Sequence, residues 1–118
     1  KVTVAALEGD ALGQGLELAL ACDLRIAGAT VRFGLTRPEL AGIPWDGGTQ
    51  RLPRLIGRSR ALEMTLLARV LGANEAAAIG LVAEVTEPGR ALQHAIKAGE
   101  VIATHGPVFR QNALELLS

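Results

Sequence analysis

Residues 2–27 read as strand, glycine-rich turn, helix and strand in immediate succession, and this order constrains the fold more than any other feature of the chain. Val2 to Leu7 is a short β-branched and apolar run; its near-continuous apolarity predicts a strand covered on both faces. Gly9 to Gly15 has glycine at three positions and predicts a loop. Leu16 to Cys22 is built of strong helix formers. Asp23 to Ala27 then predicts a second strand, and Val31 to Gly34 a third, very short one. A strand, helix and strand joined so tightly imply a right-handed crossover and an α/β layer.

Further along, Thr36 to Gly48 carries two prolines, three glycines and a Trp-Asp pair, the marks of an irregular functional loop. Thr49 to Ile56 predicts a helix ending at Gly57. Ser59 has the right chemistry to cap a further helix, Arg60 to Ala68. Asn74 to Ile79 predicts a short helix with Gly80 at its C-terminal turn, and Leu81 to Val85 a last strand. Arg90 to Thr104 spaces Leu92, Ala95, Ile96, Gly99, Ile102 and Ala103 along one helical face. Pro107 opens a final helix towards Leu117. These last two helices have little domain left to cover, so their apolar faces are an expected contact surface.

Composition narrows the function classes. Of 118 residues 49% are apolar, enough for one small core. Three aromatics and no Tyr leave little for base stacking, and the formal net charge is zero, so nucleic acid is not an expected partner. Arg51, Arg54, Arg58 and Arg60 form a modest cluster, either surface or anion-binding. A single cysteine, Cys22, excludes an internal disulfide, and with only His94 and His105 beside it no zinc set is expected. Cys22 itself reads as an inert residue of the helix core. No apolar run reaches the roughly 20 residues that span a bilayer. No signal peptide is expected, and the expected compartment is cytoplasmic. The chain runs from Lys1 straight into a strand pattern, which reads as part of a longer protein.

Two runs carry chemistry. Gly13-Gln14-Gly15-Leu16-Glu17 sets a backbone turn and a carboxylate at a helix N-terminus. Ile43-Pro44-Trp45-Asp46-Gly47-Gly48-Thr49-Gln50-Arg51 sets a second carboxylate in a glycine-rich turn before another helix. Two carboxylates and a donor-rich turn suit proton transfer on a carbonyl compound. Each acid also has a purely structural reading. Glu17 in a first turn complements the helix dipole, and Asp46 is a preferred capping type.

The run ALGQGLELALACDLRIA (11–27) strongly resembles the crotonase family, also called the enoyl-CoA hydratase/isomerase family. The resemblance continues through Phe33-Gly34, IPWDGGTQRLPRLIG (43–57), Arg60 to Met64 and Ala76 to Val85, and covers residues 1–88 with hardly a gap. It implies an α/β fold: a partial spiral of β-β-α units over 1–88, the C-terminal half of the family's core, followed by a C-terminal helical segment (89–118) for packing or oligomerisation. It further implies an acyl-CoA thioester substrate, no cofactor beyond the coenzyme A of that substrate, no metal, and a homotrimer or dimer of trimers.

The shared chemistry is stabilisation of a thioester enolate by two backbone N–H groups. By position the second donor maps onto the amide of Gln14, where glycine is usual. The first lies in an upstream segment, with much of the coenzyme A surface, so the chain alone is expected to be catalytically incomplete. Glu17 matches the family's first catalytic glutamate, which positions or activates water. Counted without gaps from Phe33, the second glutamate's place is held by Arg37, and Glu39 follows two positions late. Asp46 is the more attractive second carboxylate, since relatives such as dihydroxynaphthoyl-CoA synthase keep a catalytic Asp in an aromatic-Asp-Gly-Gly run. Gly13, Gly15, Arg37, Glu39 and Trp45 are the expected pocket residues. The resemblance therefore implies an enzyme that adds water to, or moves the double bond of, an enoyl-CoA. Two alternatives stay open: a non-catalytic unit that kept the fold, and an acyl-CoA hydrolase or dehalogenase with Asp46 as nucleophile.

Overall fold

The computed structural model describes residues 1–35 and 47–118. Its elements are β1 (Val4–Leu7), β2 (Ala11–Leu12), α1 (Gln14–Leu20), β3 (Leu24–Gly28), β4 (Arg32–Gly34), α2 (Gly48–Ile56), α3 (Arg58–Leu66), β5 (Leu71–Gly72), α4 (Ala73–Ala78), β6 (Glu84–Thr86), α5 (Ala91–Ala103) and α6 (Pro107–Leu116). The order β1-β2-α1 followed by β3-β4-α2 repeats one β-β-α unit. The first strand of each unit enters one sheet, ordered β1-β3-β6, and the second enters another, ordered β2-β4-β5. All pairs are parallel except β4 with β5. Successive units therefore stack side by side, their parallel strands joined by crossovers that pass through a helix.

The main core lies among these units, with Phe33, Leu16, Leu52, Met64, Leu81 and Val31 its largest fully buried side chains. A second cluster seats α5 on the first sheet. Ile26 of β3 meets Ala91 and Ala95, flanked by Val4, Ala6 and Ala98. The small side chains at positions 91, 95 and 98 let the helix approach the sheet closely. This corrects the apolar face expected for α5: Leu92 (60% exposed) and Ile96 (53% exposed) point away from it. Among the described residues no helix is long and apolar enough to cross a membrane.

Other boundaries shift for local reasons. The loop expected over 9–15 contains β2, because Ala11 and Leu12 register with Phe33 and Gly34. The helix expected from Leu16 begins at Gln14 and ends at Leu20. Cys22 consequently follows the helix, half-buried, instead of sitting in its core. Ser59 does not cap α3. Gly57, at φ 89°, closes α2 and precedes Arg58 directly, a conformation natural to glycine. Helix α3 stops before Ala68 because that residue is left-handed (φ 51°), and Arg69 N–H donates back to the Met64 carbonyl. Gly80 closes α4 in the same manner, as expected.

Long-range ties hold the layers. Asp23 accepts from Thr3 N–H (2.8 Å) and Oγ1 (3.1 Å), pinning β3 to β1. Asp10 accepts from the Arg32 backbone N–H (3.0 Å) and Nη2 (2.7 Å), and these bonds hold its carboxyl below the usual range. Glu8, just past β1, accepts from Gly89 N–H and from Ala91 N–H (2.9 Å), supplying the N-terminus of α5 with an acceptor from more than eighty residues away. Helix α5 has no capping side chain of its own. Glu8→Ala is therefore expected to cost about 1 kcal/mol and to speed hydrogen exchange at the Ala91 amide, while amides of α3 keep their rates.

Candidate active site

The site is built on α1, and the turn before α1 is a glycine requirement. Gly13 donates its N–H to the Gly34 carbonyl (2.9 Å), one residue beyond the β2–β4 pairing. It then turns at φ 58°, ψ −123° into the helix. A side chain has open space there, with no atom within 4 Å of an added Cβ, so the constraint is the backbone itself. Gly13→Ala should destabilise by about 1–3 kcal/mol, measurable as a shifted denaturant midpoint with unchanged slope.

The first i→i−4 bond of the helix runs from Glu17 N–H to the Gly13 carbonyl (3.1 Å). The amides of Gln14, Gly15 and Leu16 lie ahead of it, at the electropositive end of the helix. Gln14 and Gly15 are exposed, whereas Glu17 one turn further in is only 3% exposed. The helix thus begins on two exposed residues, Gln14 and Gly15, and buries Leu16 and the Glu17 carboxylate within the same turn.

That carboxylate meets a second helix. Glu17 Oε1 accepts the N–H of Gly48, the first residue of α2, at 3.1 Å. Gly47 holds the cap position of α2 at φ 97° with no capping side chain, and Glu17, thirty-one residues earlier, brings an acceptor to this N-terminus, where the Arg51 guanidinium also lies against Gly47. The positive ends of two helix dipoles thus face one acid. Sequence reading missed the Gly48 amide as the partner of Glu17, although the Gly-Gly pair in the second run is its signal.

The other end of α1 is held by Arg25 of β3. This arginine is 6% exposed and donates to the carbonyls of Ala19 (3.1 Å), Cys22 (2.7 Å) and Leu81 (2.8 Å). Burial pushes its guanidinium below the ordinary value, partly offset by the Cys22 thiol and the Asp23 carboxyl. Nothing in the strand pattern of Asp23 to Ala27 marks this arginine as a buried one.

The structure thus brings Gly13, Gln14, Gly15 and Glu17 together at one helix N-terminus, with Gly47 and Gly48 arriving from α2. The cap of α2 falls on Gly47 instead of Asp46. Arg37, Glu39, Trp45 and Asp46 lie outside the described residues. His94, partly exposed, pairs with Glu84 of β6. His105 lies just past the C-cap of α5, which is Thr104, and packs against Phe109 at 5.1 Å between ring centroids. Among the described residues no cluster of His, Cys, Asp and Glu is arranged to hold a metal.

The sequence and fold recur in known proteins. The sequence model described as enoyl-CoA hydratase/isomerase matches residues 1–117, so the match extends past 1–88 through both C-terminal helices. The mitochondrial methylglutaconyl-CoA hydratase of Mus musculus is 48% identical over 110 residues, covering 90% of this chain and 35% of that enzyme. The structure of Pseudomonas aeruginosa DspI superposes with a TM-score of 0.94 at 38% identity, over 98% of this chain and 48% of that one. A crystal structure of enoyl-CoA hydratase from Bacillus anthracis gives a TM-score of 0.87 at 48% identity, over 92% of this chain and 42% of that one. The chain spans about a third of the mouse enzyme's length and about half of the two solved chains. With the family model and the fold in agreement, the chain belongs to the enoyl-CoA hydratase/isomerase family.

Proposed function

We propose that the natural full-length protein hydrates enoyl-CoA thioesters, using the N-terminus of α1 as its reaction centre. The observation that carries this reading is Glu17: a nearly fully buried carboxylate that accepts the Gly48 N–H, in the same helical turn as the exposed residues Gln14 and Gly15. In the proposed reaction the oxygen of a water forms a bond to the β-carbon while its proton passes to Glu17. The π pair of the double bond moves through the α-carbon onto the thioester oxygen, and the enolate is held by Gln14 N–H and a second amide from the rest of the protein. The enolate then takes a proton at the α-carbon from the second acid, assigned to Asp46. Solvent exchange returns the two acids to their starting states. A preorganised amide stabilises the developing oxyanion at no cost in reorganisation.

Gly13, Gly15, Arg37, Glu39 and Trp45 are proposed to line the pocket. Residues 1–88 are proposed as part of the catalytic core and 89–118 as a packing or oligomerisation segment. A cytoplasmic homotrimer or dimer of trimers, with no cofactor beyond the substrate's coenzyme A, completes the proposal.

The test is crotonyl-CoA turnover by the full-length protein, followed as loss of enoyl-thioester absorbance together with a free-thiol assay. Hydration without thiol release is expected. Release of coenzyme A would support hydrolysis through Asp46, and tight thioester binding without turnover would support a non-catalytic unit.

A further inference from the structure

The structure assigns Arg25 a positioning role: its guanidinium fixes the C-terminal end of α1, and through that two-turn helix it sets where Gln14 N–H and the Glu17 carboxylate stand. The bonds to Ala19 and Cys22 are made at the last turn of the helix and just past it, and the bond to Leu81 anchors the group to the segment between α4 and β6. Ala19 is two residues from Glu17, in a helix of only seven. A helix so short gains little stability from its own hydrogen bonds and takes its position from tertiary contacts. The planar fork of arginine suits this task. It spreads donors over three carbonyls in fixed directions, whereas a lysine ammonium on a flexible stem reaches them without fixing their relative positions. A cation at the C-terminal end also matches the electronegative end of the helix, while Glu17 and the proposed enolate site occupy the electropositive end. Arg25 touches no reacting atom, so its effect passes through the helix.

The catalytic part of this assignment rests on the proposed hydration reaction; the positional part does not. The test therefore uses two readouts on the full-length protein and its Arg25→Lys and Arg25→Met variants, well below their melting temperatures. The first is hydrogen exchange at the Gly48 amide, which is protected by its bond to Glu17. Arg25→Lys is expected to raise that exchange rate about tenfold while the Ala95 amide in α5 keeps its rate, and Arg25→Met is expected to do so more strongly. Equal acceleration at both amides, or no change at Gly48, overturns the positioning role, because a merely stabilising arginine would loosen the whole core together. The second readout is crotonyl-CoA hydration. A kcat lowered about tenfold in Arg25→Lys with KM within twofold is expected, and a wild-type kcat in the folded variant refutes the catalytic consequence. A wild-type protein that fails to hydrate crotonyl-CoA overturns the proposed function alone, and the Gly48 amide still decides whether Arg25 positions Glu17.

Discussion

Glu17→Gln in the full-length enzyme is expected to lower kcat for enoyl-CoA hydration by about 10²–10⁴ and to leave the fold in place. The substitution is nearly isosteric, and the amide oxygen of glutamine can still accept the Gly48 N–H that Glu17 Oε1 accepts at 3.1 Å. The packing around a side chain that is 3% exposed is likewise kept. What is lost is a group able to take a proton from water, together with its negative charge at the meeting point of two helix N-termini. The stability change should stay within about 1 kcal/mol, the scale of one exchanged hydrogen bond. Steady-state kinetics and a thermal melt of the same preparation check both halves. A variant that melts far earlier and loses activity only in proportion to its unfolding would make Glu17 a structural acid.

The second large effect concerns the partner of Glu17. Asp46→Asn is expected to depress kcat by about 10²–10⁴ while acyl-CoA binding persists, and Glu39→Gln to change it less than about threefold. The argument is one of spacing. Counted without gaps from Phe33, the sequence puts Arg37 where the resemblance leads one to expect the second glutamate, and Glu39 two positions late. Asp46 is joined directly to Gly47, the residue that turns at φ 97° into α2, and the next amide, that of Gly48, already binds Glu17. Kinetics of the two variants in one assay decide the matter. Loss of activity in Glu39→Gln, with only a lowered melting temperature in Asp46→Asn, would reverse the assignment.

Much of this was legible in the sequence, because the relevant signals are local. Apolar runs, helix formers and glycines placed β1, α1, β3 and α2 to within two residues, and the family's motifs put Gln14 and Glu17 at one helix N-terminus. The signals that failed are those whose cause lies far along the chain. Strands β2 and β5 contain two residues each and exist only because β4 pairs with both. The start of α5 is completed by Glu8 at the far end of β1, and no local pattern records that. Periodicity placed Leu92, Ala95, Ile96, Gly99, Ile102 and Ala103 on the inner face of α5, whereas the sheet takes the alanines at 91, 95 and 98 and leaves Leu92 and Ile96 exposed. Arg25 stands where strand alternation predicts an ordinary polar residue, yet it is buried on three backbone carbonyls, two at the end of α1 and one between α4 and β6.

The central claim, that α1 presents a thioester-activating hydration site, is tested most directly by running the full-length enzyme on crotonyl-CoA in heavy-oxygen water and locating the label by mass spectrometry. The account predicts one heavy oxygen in the β-hydroxyl of the product, an intact thioester, and loss of that labelling in Glu17→Gln. Heavy oxygen in a free carboxylate, with coenzyme A released, would contradict it and move the chemistry from Glu17 and the α1 amides to a nucleophile attacking the thioester.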